Sequence, residues 1–221
     1  MVSDMINMDA IESLKALKQY GIHTARTKFV DSPEDAIAFA ERRNAPDPRL
    51  MSIVLYASAS GIASSALSTE DAIRRAYEYL AQGAAPPKII AQEVTESGTE
   101  IGITGRTDAD AKKTLALAGE ERMMPLDTAG AEWLASNYQR HHHHGKSEKA
   151  RRMLEHLLLC VSEFFEASGV SAFHLRVRLH ENSYTVLGAS MTAPRALHLK
   201  ERLDRHAHDR KGADYHPAGR E

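Results

Sequence analysis

Apolar residues recur at two periods along this chain, and the two alternate in blocks. Ile11, Leu14 and Leu17 return at three-residue spacing, which predicts a helix from a cap at Asp9 to about Tyr20, with Gly21 as its left-handed terminator. Residues 27–30 predict a short strand. Ser32 then caps a helix to about Arg43, with Pro33 at the first helical position, Asp35 three residues past the cap, and Ala36, Ile37 and Ala40 inward. Two prolines mark 44–49 as a loop, and 51–56 reads as a buried strand. A second capping signal at Ser68 and Thr69 opens a helix to about Leu80, burying Ile73, Ala76, Tyr77 and Leu80.

Beyond a Gly/Pro loop at 82–87, the stretch 88–106 predicts a hairpin: an apolar strand, a turn at Glu96-Ser97-Gly98, and a second strand. The alanine-rich connection 107–121 predicts helix at 109–118, and 123–126 a short edge strand. Asp127 caps a helix containing Trp133, Leu134 and Tyr138. The longest helix spans 147–168, where Leu154, Leu157, Leu158, Val161, Phe164 and Phe165 form a wide apolar face. From 172 to 180 the period switches to two, with Phe173, Leu175, Val177 and Leu179 opposite His174, Arg176, Arg178 and His180. A turn at 181–183 leads to the partner strand 184–189. Thr192 and Pro194 start a last helix with Ala196, Leu199 and Leu203 on one face, and 205–221 is a polar tail.

Composition narrows the function classes. The chain has 221 residues, is 43% hydrophobic and 26% charged, and carries a formal net charge of -2. These values are those of a soluble globular protein with no general affinity for nucleic acid or anionic membrane. Cys160 is the single cysteine, so there is no intrachain disulfide and no thiolate cluster; a buried structural thiol is the expected role. No stretch approaches the roughly 18 apolar residues of a membrane span. The first ten residues lack a basic and an apolar signal region, and the expected setting is reducing and cytoplasmic.

Several stretches carry competing readings. Small residues at 57–65 suit either a backbone cradle for phosphate or a plain connection, and no Lys-Ser/Thr follows at phosphate-loop spacing. The run His141–His144 has no carboxylate or cysteine beside it to complete a metal site, so a solvated loop is expected and no metal site is assigned. The basic face of 172–180 is either an anion site, since guanidinium forks match phosphate and carboxylate, or a solvated sheet face. His174, Arg176 and Arg178 are its candidate anion-binding residues.

The order of these pieces resembles the ATP-grasp fold, and more narrowly the ATP-grasp part of ADP-forming acyl-CoA synthetases and succinyl-CoA ligase beta subunits. Glu12 through Leu17 to Tyr20-Gly21-Ile22 is similar to that family's E-x-x-x-L-L-x-x-Y-G-I. Ser32–Ala36 resembles its next helix start, Ile53-Val54-Leu55 its V-V-L-K strand, and Gln92-Glu93 its Q-E hinge. Gly98-Thr99-Glu100 followed by Asp108 matches its G-x-E, and Pro125-Leu126 its P-L-T-x-x-D-A segment. The resemblance implies ATP held between two lobes, a phosphate-binding lysine, magnesium on acidic or amide side chains, and phosphate passed through a histidine to a carboxylate before CoA attacks.

The chemistry-bearing positions differ. Tyr56 stands at the lysine, 59–65 lacks the family's H-K-x-D-x-G-G loop, and the glycine-rich stretch is the alanine-rich 109–118. Where the family reads L-D-I-N-P and later L-D-A-R, this chain reads Phe173-His174-Leu175-Arg176-Val177 and Leu187-Gly188-Ala189-Ser190.

The resulting expectation is an α/β (α+β) ATP-grasp-like protein of two small lobes, each a mixed sheet packed with helices. Residues 1–87 form the first lobe, 88–204 the second and 205–221 the tail. Its expected function is to bind a nucleotide or other anion, or to support a catalytic partner, without unaided phosphoryl transfer. Gln92, Glu93 and Glu100 are the candidate nucleotide contacts and ATP or ADP the candidate ligand. Magnesium is disfavoured, and CoA enters only if a partner supplies its site. Two alternatives stay open: an active ADP-forming carboxylate-CoA ligase subunit working with a Rossmann-type CoA-binding partner, and a self-associating structural module.

Overall fold

Four helices start where the sequence places their caps. Asp9 accepts the Glu12 N–H at 2.8 Å and opens α1 (Ala10–Gln19). Ser32 accepts the Asp35 N–H at 3.1 Å and opens α2 (Pro33–Ala40), three residues shorter than expected. Thr69 does the same for Ala72 at 3.3 Å and α3 (Glu70–Ala81). Asp127 holds the Gly130 N–H at 2.7 Å ahead of α4 (Thr128–His141). Each such cap satisfies an amide that would otherwise be orphaned, a gain of about 1 kcal/mol. Gly21 closes α1 with φ 89, and the Ile22 N–H reaches back to the Leu17 carbonyl at 3.0 Å.

The computed structural model describes residues 5–41, 51–57, 63–82, 88–94, 98–108, 112–118, 122–141, 148–180 and 183–194. The chain divides into two compact units, one of Met1–Thr24 with Ser97–Glu221 and one of Ala25–Glu96.

In the larger unit the strands are β1 (Met5–Met8), β5 (Thr99–Thr107), β6 (Lys113–Leu117), β7 (Met124–Pro125), β8 (Ala172–Leu179) and β9 (Tyr184–Pro194). They form one antiparallel sheet in the order β1-β9-β8-β5-β6-β7. One face is packed by α1, α4 and α5 (Glu148–Ser168). Leu154, Leu157, Leu158, Val161, Phe164 and Phe165 of α5 are fully buried there, each contributing about 1.5–3 kcal/mol. Phe165 meets Phe173 of β8 edge to face, with ring centroids 4.9 Å apart.

The smaller unit holds β2 (Thr27–Val30), β3 (Ile53–Ala57) and β4 (Ile89–Glu93) in the order β2-β4-β3, again antiparallel. Val30, Leu55, Ile89 and Ala91 pack with Ala36, Ile37, Phe39, Ile73 and Leu80 of α2 and α3 into a second core.

Four expectations change. First, 88–106 is not a hairpin: β4 is the middle strand of the small sheet, while β5 pairs with β6 and β8 in the large one. A strand starting Ile-Ile-Ala, buried on both faces, needs a neighbour on each side, and β2 and β3 supply them. The strand expected to open the second lobe thus belongs to the smaller unit, and its partners are antiparallel in sheets expected to be mixed.

Second, 113–117 is strand β6 where helix was expected. Alanine's preference for helix is worth a few tenths of a kcal/mol per residue. Burial of Leu115 and Leu117 against β5 outweighs that, and the Ala118 N–H extends the pairing to the Gly102 carbonyl at 2.8 Å.

Third, Thr192 and Pro194 do not start a helix but end β9, whose last four residues pair with β1; the Thr192 hydroxyl donates to Asn7 at 2.9 Å. The helix expected after them lies outside the described residues, as do the small-residue segment 58–62 and most of the histidine run. Fourth, β1 itself was not foreseen, because four residues of mixed character carry no period of their own.

Candidate functional site

The large sheet has one face that none of the described helices covers, and strand register places its side chains. Residues directly opposite across a pair share a face. Across β5, β8 and β9 the rungs of this face are Glu100–Arg178–Thr185, Gly102–Arg176–Gly188 and Thr104–His174–Ser190. Arg106 follows on β5, diagonal to His174. The three candidate anion-binding residues therefore do share one face, as the alternation of β8 implied.

Their surroundings differ sharply. Arg178 is half-buried and forms an ion pair with Glu100. His174 is exposed, and its Nδ1 lies 3.1 Å from the Thr104 hydroxyl. When that hydroxyl donates to Nδ1, Nε2 carries the N–H and points it outward. The ring leans across β5: a Cβ on Gly102 would stand 3.3 Å from His174 Cε1 and 2.8 Å from the Ala118 methyl. Gly102 is thus the residue that lets His174 lie flat.

Arg176 is exposed and sits between glycines on both neighbouring strands, Gly102 on β5 and Gly188 on β9. Its side chain lies over Gly188, where an added Cβ would meet Arg176 Cβ and Nε at 3.9 Å, an ordinary contact. The β8–β9 register shifts immediately after it, from Arg176↔Gly188 to Val177↔Val186, leaving Leu187 as the extra residue of a bulge. A bulge and paired glycines in a strand are the usual marks of a place where something approaches the backbone closely. Among the described residues no carboxylate pairs with Arg176, Arg106 or His174.

Gln92 and Glu93 lie in the smaller unit, on β4, and Glu100 lies in the larger, so the hairpin that was to unite them does not exist. Gln92 is buried, opposite Thr27 and Val54; Glu93 is half-buried, and its backbone N–H donates to the Arg26 carbonyl at 3.0 Å. The face of the small sheet that carries Gln92 also carries Phe29, Ile90 and Tyr56 in one rung, and the Lys88 ammonium stands 5.4 Å from the Phe29 ring centroid. Phe29, Lys88, Arg106, Thr104 and Gly102 were not singled out from sequence, whereas Gly188 was, through the L-D-A-R comparison. For the former the sole legible trace was alternation along β4 and β5, which requires knowing the neighbouring strands.

Cys160 is half-buried on α5, packed at the edge of the large core, with its Sγ 3.7 Å from His156 Nε2. The Tyr184 hydroxyl is pushed above its ordinary range by burial first and by the nearby Cys160 second. Among the described residues no group of His, Cys, Asp and Glu is arranged to hold a metal ion. None of the described helices is long and apolar enough to cross a membrane.

No protein-family model and no curated protein matches the sequence. Solved structures match the fold. Ca. Korarchaeum cryptofilum ACD1 in complex with coenzyme A aligns with a TM-score of 0.67 at 19% identity, over 85% of this chain and 93% of that one. Dinucleotide forming acetyl-coenzyme A synthetase 1 of the same organism, in complex with coenzyme A, Ca-AMPCP and HgCl+, aligns at 0.66 and 19% identity with the same coverage. ATP citrate lyase from Methanothrix soehngenii, in complex with citrate and coenzyme A, aligns at 0.58 and 11% identity over 88% of this chain and 52% of that one. This chain therefore spans about half of the citrate lyase chain. Identities this low speak for fold alone: the protein is α/β and ATP-grasp-like.

Proposed function

We propose that this chain is a divergent member of the ATP-grasp, acyl-CoA-ligase-like group that binds a nucleotide or another phosphate-bearing anion, or supports a catalytic partner, and does not transfer phosphate unaided. The observation that carries the reading is the rung Gly102–Arg176–Gly188. By the resemblance of 173–177 and 187–190 to L-D-I-N-P and L-D-A-R, His174, Arg176 and Gly188 occupy the positions from which the family holds magnesium, and two of them, Arg176 and Gly188, lie side by side. They are direct cross-strand neighbours, as ligands to one ion would be.

Neither residue suits the ion. A hard divalent cation requires oxygen ligands, and a guanidinium offers only donors. Glu100, the carboxylate one rung from Arg176 on β5, is engaged by Arg178. Magnesium therefore does not fit the donor set present, and no step is routed through it. Phosphoryl transfer depends on cations that hold the oxygens in line, and an arginine alone replaces only the charge. Gln92 and Glu93 in the smaller unit, with Phe29 and Tyr56 as ring surfaces beside Gln92, and Glu100 in the larger unit are each proposed separately as nucleotide contacts.

Calorimetry with ATP and ADP, followed by an assay for ADP release with magnesium, acetate and CoA, tests this. The expected result is nucleotide binding with no ADP above the uncatalysed background. Sustained ADP formation by the isolated chain overturns the claim of no unaided transfer; absence of nucleotide binding overturns the ligand. The matched structures in complex with coenzyme A support one further reading, a subunit that works with a CoA-binding partner. ADP formation only when such a partner is added is its signature.

A further inference from the structure

We infer that Arg176 replaces the divalent cation, so that a polyphosphate is gripped directly by protein and its binding is independent of magnesium. The inference rests on the nucleotide-binding reading above and adds to it how the phosphates are held. Three features converge on one rung. The guanidinium is exposed and carries no counter-charge among the described residues. Glycine on both flanking strands removes the side chains that would shield it. The bulge at Leu187 breaks the β8–β9 register at that point.

The neighbouring groups fit the same anion. His174 is about 7 Å along β8 by strand geometry, oriented by Thr104 and with Nε2 unengaged among the described residues. Arg106 stands diagonally beyond it, and Thr104, Thr114, Ser190 and Thr192 lie among these rungs. The row Arg106, His174, Arg176 thus presents donors at spacings a di- or triphosphate can bridge, with hydroxyls among them; at its two ends Asp108 accepts the Lys112 N–H at 2.8 Å and Glu100 is paired with Arg178. Two terminal oxygens of a phosphate accept both prongs of a guanidinium fork, a match that a metal already bound to those oxygens would obstruct.

Titration of the full chain with ATP and with inorganic tripolyphosphate, each in excess EDTA and in excess magnesium, separates the possibilities. ATP is expected to bind in EDTA at least as tightly as with magnesium, and tripolyphosphate to compete with it. Arg176→Ala is expected to lower affinity in EDTA about ten- to a hundred-fold, the loss of one or two charge-assisted hydrogen bonds. Gly188→Asp, for which there is room, is expected to lose a similar factor by giving Arg176 an internal partner. Should that variant misfold, Arg176→Ala at an exposed side chain still decides. ATP binding that requires magnesium overturns this inference and leaves the nucleotide reading standing. Binding in EDTA that survives Arg176→Ala removes Arg176 from the site and likewise overturns it. Failure of ATP and ADP to bind under either condition overturns the proposed function, and this inference with it.

Discussion

The two faces of the large sheet obey different rules. On the covered face Phe173, Leu175 and Val177 of β8 lie beside Ile101 and Ile103 of β5, under the helices, and all are buried. On the open face the same strands give Arg178 an acidic partner at one rung and set Arg176 between two glycines at the next. The covered face is governed by volume. The open face is governed by charge and by missing side chains. Substitutions on the first should therefore read out as stability, and on the second as affinity.

The largest expected effect breaks the covered face. Phe165→Ala removes a fully buried ring stacked edge-on to Phe173 and should cost about 3–5 kcal/mol in chemical denaturation. A cost near zero would show that α5 does not pack on β8 as described. Gly105→Ala tests the same face from the backbone side, because the added methyl would collide with the Phe173 ring. Overpacking of this kind should cost about 1–3 kcal/mol, and no loss would mean that the ring moves freely aside.

On the open face Glu100→Gln should change stability by about 1 kcal/mol or less, as an exposed pair does. It should also remove a negative charge from this face and raise tripolyphosphate affinity a few-fold. If nucleotide affinity falls while tripolyphosphate affinity rises, Glu100 contacts the ribose or base, and the two roles separate in one variant.

The smallest effect lies on α5. Hydrogen bonds from Arg151 and then Arg152 lower the Glu148 carboxyl to about 2. Because the folded value lies below the ordinary 4.5, the stabilisation is complete above that value and is lost only as pH falls through about 2. An NMR titration should show the low midpoint, and Arg151→Ala should return it toward the ordinary range. An unshifted midpoint in the parent chain would mean that solvent already breaks these exposed bonds.

Much of this was legible because it is local. Asp9, Ser32, Thr69 and Asp127 cap helices through amides three residues away, so spacing suffices to find them. The apolar stripe of α5 and the alternation of β8 are likewise periodic in the chain itself. The ATP-grasp-like order of elements follows from that periodicity taken together with short motifs. Errors arose where a segment's partner lies far away in sequence. β4 and β5 are consecutive yet belong to different sheets, and alanine-rich β6 is strand because Leu115 and Leu117 find a core against β5.

The candidate site divides along the same line. Sequence by itself determined that His174, Arg176 and Arg178 share a face, since a strand's period is two, and that basic groups stand where family metal ligands are expected. Only the tertiary structure decided that Arg178 has a carboxylate opposite and that Arg176 has glycines, because those neighbours come from β5 and β9, some 70 residues before it and about a dozen after. Charge at a position is written in one residue. Whether that charge is spent on the protein or left for a ligand depends on which strands are hydrogen-bonded beside it.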